Sequence, residues 1–175
     1  MKRAAAALVL LAVTVLLGGA GEDFPVPHED NQIFYVQRSL NSNTIVYTAR
    51  LDDQGKLDAK RPVEVYWRRY NDAGERKELS TLERSMAFGV KADPVAGQPG
   101  SFMMRVVSYP QRPALLKVVD GVPRLEAKVA GEPCRLDHAY LEVDDSGNLP
   151  SVTRVDLYGV SLATGQPVKE SFIPW

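Results

Sequence analysis

From residue 33 onward, apolar and polar residues alternate with a period of two. Residues 33–38 (IFYVQR), 43–50 (NTIVYTAR) and 62–70 (PVEVYWRRY) are rich in β-branched and aromatic side chains, as strands are. Segments 101–108, 114–119, 124–129, 135–143, 152–157 and 168–172 continue the series. Between them stand Asp53-Gln54-Gly55, Asp72-Ala73-Gly74, Asp145-Ser146-Gly147 and Ala163-Thr164-Gly165. In such turns a short polar side chain bonds forward to the backbone and glycine supplies positive φ. None of the acidic turns has the oxygen-ligand spacing of a calcium loop. Eight or nine short strands so spaced predict an all-β domain, an antiparallel β-barrel or a two-sheet sandwich.

One segment departs from this rhythm. Ser80 and Glu83 form a capping-box pair, Leu79, Leu82 and Met86 share a helical face, and Gly89 is a natural stop. One short α-helix is therefore expected over 81–88, packed on the sheet or plugging one end. Residues 91–100, with two prolines and two glycines, are expected to be a long mobile loop.

The first twenty residues have a different pattern. Lys2 and Arg3 precede an apolar run over 4–17 broken only by Thr14, and Gly18-Gly19-Ala20 follow. A basic start, an apolar stretch and small residues, in that order, read as a signal peptide over 1–20, with a retained anchor as the alternative. The expected mature domain, 21–175, then carries 19 basic against 22 acidic residues and works in the periplasm or outside the cell. This near-balance argues against a nucleic-acid partner. Charges along 64–70 and 136–142 argue against stable membrane insertion as a barrel. Trp175 is expected to pack on a sheet edge. Cys134 is the only cysteine, so no internal disulfide can form, and it reads as a small, partly buried hydrophobe.

Catalytic signatures are missing. There is no Gly-x-Ser-x-Gly elbow, phosphate loop or Gly-x-Gly-x-x-Gly fingerprint. Cys134 and His138, four apart on a strand, would share a face, but two ligands do not make a zinc site. No metal or other cofactor is expected. Glu64, Glu83, Glu126 and Glu142 leave open a hydrolase using paired carboxylates, and an exposed edge strand leaves open a structural partner. The most suggestive feature is arginine and tyrosine inside strand-like runs. On 62–70, Val63, Val65 and Trp67 take one face and Glu64, Tyr66, Arg68 and Tyr70 the other. The preferred expectation is a non-enzymatic binding or accessory protein, with Tyr35, Arg38, Tyr66, Arg68 and Arg105 lining a site for a small polar or anionic ligand.

The block Pro25-Val-Pro27, Asn31, Phe34-Tyr-Val-Gln-Arg-Ser39, Asn41 and Asn43-Thr-Ile-Val-Tyr47 carries a resemblance. It continues through Pro62-Val-Glu-Val-Tyr-Trp-Arg-Arg-Tyr70, Glu83-Arg84 and Ala87-Phe-Gly89. In these motifs the chain resembles a family of secreted bacterial proteins known as a domain of unknown function (number 4833). The resemblance implies one extracytoplasmic β-rich domain and transfers no site residue. Within its motifs Gln37, Arg38, Asn41 and Asn43 are the polar residues to examine first.

Overall fold

The computed structural model describes residues 24–147 and 150–174. The leader expected at 1–20 and the docking expected of Trp175 lie outside them. Among the described residues eleven strands form one sheet. They are β1 (Gln32–Arg38), β2 (Asn41–Ala49), β3 (Val63–Arg69), β4 (Glu75–Glu78), β5 (Val90–Pro94) and β6 (Phe102–Val106). The series closes with β7 (Ala114–Val119), β8 (Val122–Val129), β9 (Glu132–Asp144), β10 (Ser151–Ser161) and β11 (Pro167–Phe172). The all-β architecture with one short α-helix is present, as a curled half-barrel.

Two strands exceed the expected nine. β4 is four exposed charged residues, and β5 occupies the start of the stretch expected to be a mobile loop. Both are edge strands, where charge and a terminal proline are tolerated because one side makes no ladder bonds. Their composition hid them. α1 (Thr81–Met86) starts as its capping box requires: Glu83 N–H donates to Ser80 Oγ, and Ser80 N–H donates to Glu83 Oε2. Its expected inner face is only partly realised. Leu79 is buried, but Leu82 and Met86 are 66% and 69% exposed, so the helix rests on the sheet through its start.

β9 is the spine. β10 pairs along one edge of it from Cys134 to Asp144. The other edge is shared: β8 pairs antiparallel with Glu132–Arg135, and β1 pairs parallel with His138–Leu141. That parallel pairing departs from the all-antiparallel expectation. The sheet therefore forks into one wing of β1–β4 and another of β8–β5. The wings turn their inner faces together. Tyr47 Oη donates to Phe88 O at 3.0 Å, and Trp67 meets Phe88 edge-on at 5.4 Å. Ile45, Val65 and Trp67 from one wing, Met104, Leu116 and Leu125 from the other, and Cys134 and Leu136 from the spine share one core.

A bulge changes the phase of β9. Gly159 faces Leu136 and Tyr158 faces His138, so Asp137 is an extra residue opposite the gap. Cys134 consequently lies in the core, while His138 lies on the outer face, against Tyr35 and Tyr158. The shared face expected of Cys134 and His138 does not exist. Among the described residues no three His, Cys, Asp or Glu side chains gather as a metal site, and no helix is long and apolar enough to cross a membrane.

Residues 24–31 cross the outer face as a strap. Pro27 is fully buried, Gln37 donates to Pro25 O, Ala49 N–H donates to Asn31 O, and Glu29 forks onto Arg68. Beneath it, Tyr35, Val46 and Tyr66 are buried although they point away from the core.

Candidate functional site

The inner side chains set the site. Alternation along β1, β2, β6, β8, β9 and β10 sends Phe34, Tyr47, Met104, Leu125, Leu136 and Leu157 inward. Ala114, Ala127 and Ala139 sit among them and do not fill the space between the wings. A cavity of about 580 Å³ results, within the range of small-molecule pockets.

Most of its polar lining, its rim, comes from the β6–β7 connection, residues 107–113, and from β11. Tyr109 stacks on Phe172 with ring centres 5.6 Å apart. The Arg112 guanidinium sits 4.2 Å from the Phe172 centroid and forks onto the Glu170 carboxylate, with Nη1 to Oε2 at 2.9 Å and Nη2 on Oε1. Ala130 N–H also donates to Glu170 Oε2, at 2.7 Å. Hydrogen bonding from Arg112 holds the Glu170 carboxyl below its ordinary pKa, with burial opposing and Ala130 assisting. Lys128 contributes to the same lining, but alternation with the inward Ala127 sends its exposed side chain to the outer face. Apolar walls with a small set of convergent polar groups at one end suit binding of a molecule with an apolar body. Glu170 is the one carboxylate of the lining, and Arg112 neutralises it.

The residues expected to form a site are dispersed. Tyr35 is on the outer face, its ring 4.9 Å from His138 and nearly parallel to it; burial, first of all, raises its phenol to about 12. Tyr66 is one strand away from Val46 in the same cross-strand row as Tyr35, beneath the strap, with the Arg76 guanidinium 3.9 Å from its ring. Arg68 is beside Tyr66 and held by Glu29, so these two do come together, and Tyr66 and Glu29 line a polar depression with Glu64 and Arg76. Arg38 is 4.9 Å above the inner-facing Trp67, with a buried Nε that has no hydrogen-bond partner, and burial lowers its pKa. Arg105 is on the other wing, paired with Asp93 at 2.8 Å. Among the five, only Tyr66 lines a depression, Arg68 touching it through Glu29, and none lines the cavity.

The four glutamates weighed for hydrolysis are also separated from the cavity. Glu64 pairs with Arg76, Glu126 with Lys117 and Arg124, Glu142 with Arg154, and Glu83 caps α1 while accepting from Trp67 Nε1. Gln37 bonds the strap, Asn41 accepts from Asn43 N–H, and Asn43 accepts from Asn71 N–H. These polar residues tie turns and strap. Sequence reading missed Tyr109, Arg112, Lys128, Glu170 and Phe172. The Arg112–Glu170 pair spans 58 positions, and neither segment carries a motif.

The family described as a domain of unknown function, DUF4833, matches residues 34–171, from β1 through β11. No curated protein and no solved structure matches the chain.

Proposed function

The chain belongs to this DUF4833 family of domains of unknown function, and on that premise we propose that it is a non-enzymatic binding protein for a small molecule with an apolar body, acting in the periplasm or outside the cell. The observation that carries this reading is the cavity of about 580 Å³ between the wings. Each methylene moved there from water contributes about 0.8 kcal/mol, so a body of about six carbons gains about 5 kcal/mol before ordering costs. The basic start and apolar run at the amino terminus support export. The apolar walls move the expected ligand away from the small polar molecule that the arginines within the strands suggested.

The test is titration of the full chain with N-phenylnaphthylamine, a neutral dye that fluoresces in apolar surroundings. Saturable binding of one dye per chain, weakened when Ala127→Phe fills the cavity and folding is retained by circular dichroism, supports the proposal. Unsaturable dye uptake, or uptake indifferent to Ala127→Phe, refutes it.

A further inference from the structure

The rim of the cavity contains more than an ion pair. Arg112 presents two N–H groups in a fork, and Ala130 N–H converges on the same Glu170 carboxylate. A planar fork with an added backbone donor is a geometry matched to carboxylates. Among the described residues Arg112 and Glu170 are the charged pair of this rim, and Glu170 is the one carboxylate of the lining.

Resting on the binding function proposed above, we infer that Glu170 occupies a carboxylate cradle that the ligand's own acid group takes over, and that the ligand class is a single-chain amphipathic carboxylate. Its chain fills the space left by Ala114, Ala127 and Ala139. Its head takes the Arg112 fork and the Ala130 N–H. Glu170 and the β6–β7 connection form a latch in the empty protein. When the head displaces Glu170, the Tyr109–Phe172 stack and the Arg112–Phe172 contact still hold that connection to β11.

The test is competition against N-phenylnaphthylamine on the full chain, with decanoic acid and decanol as matched competitors. The acid is expected to displace the dye at about one-tenth the concentration the alcohol needs, the worth of one charge-assisted interaction. Arg112→Gln is expected to reduce this preference to within about twofold, with Arg112→Lys intermediate because it keeps charge but loses the fork. Glu170→Gln is expected to raise the preference at least about threefold, because the internal competitor loses its charge. Thermal melts by circular dichroism, and continued displacement by decanol, report that each variant retains a folded cavity. Equal potency of acid and alcohol on the wild type overturns the inference while leaving the cavity reading intact. A preference that survives Arg112→Gln, or falls in Glu170→Gln, also overturns it. Failure of both competitors to displace the dye defeats the cavity reading as well.

Discussion

Substituting leucine for Ala139 tests the cavity directly, because the expected sign is opposite to that for a packed core. Ala139 is 5% exposed, sits on the spine strand β9 and faces the space between the wings. The change adds three carbons. In a close-packed interior, added carbons force neighbours off their rotamers and destabilise by about 1–3 kcal/mol. Here the open volume of about 580 Å³ is many times that of three carbons, so they can enter without displacing anything. At about 0.8 kcal/mol per carbon the transfer gain is about 2.4 kcal/mol, from which about 0.5–1 kcal/mol is lost as leucine rotamers are fixed. The expected net stabilisation is about 1.5 kcal/mol, seen as a rise in Tm of about 3–6 °C in a chain of this size. Differential scanning calorimetry and urea titration measure it, and the same variant should bind N-phenylnaphthylamine more weakly. A destabilised Ala139→Leu protein would mean that the wings close on each other in solution and that the cavity, with the function built on it, is not there.

Three further outcomes follow from local geometry. Tyr47→Phe removes the hydroxyl that bonds Phe88 O across the wings and should cost about 1 kcal/mol by urea denaturation with an unchanged m-value. Gly89→Ala should cost at least about 2 kcal/mol, because its Cβ would lie 1.8 Å from the Arg84 backbone oxygen and the end of α1 would have to move; denaturation midpoints measure this. The strap should be acid-labile. Hydrogen bonding from Arg68, first of all, holds the Glu29 carboxyl below its ordinary 4.5, so its contribution is complete above that pH and disappears as pH falls through the lower folded value. The stability difference between wild type and Arg68→Met, measured by urea titration at several pH values, should therefore be constant near neutrality and shrink below pH 4.5. A difference that grows on acidification would refute the pairing.

Much of the fold was legible because its causes are local. Alternation over 33–38, 43–50 and 62–70 marks β1, β2 and β3, and Ser80 with Glu83 marks the start of α1, each within a few residues. Asp120-Gly121, with φ of 53° and 78°, is a two-residue hairpin signal of the same local kind, between β7 and β8. The edge strands β4 and β5 were illegible because charges and proline speak against strands, and only pairing with β3 and β6 makes them so. The candidate site was hardly legible. Arginines inside apolar runs drew attention because they are costly when buried, yet the strap answers Arg68, and Asp93 answers Arg105, from elsewhere in the chain.

The amino-acid sequence by itself determined that this protein is built of two-faced strands with one capped helical turn, because alternation, capping and turn chemistry act between neighbours. It also assigned the chain to its family, over residues 34–171. Which face of each strand encloses the cavity was decided only by the tertiary structure. A period of two fixes that faces alternate but not which one turns inward, and one extra residue at Asp137 reverses the phase along β9. The strap over Tyr35 and Tyr66, the parallel seam between β1 and β9, and the meeting of Arg112 with Glu170 likewise arise from distant segments. Such contacts form because burying the wings' apolar faces outweighs the chain entropy of bringing them together, a balance that no local pattern records.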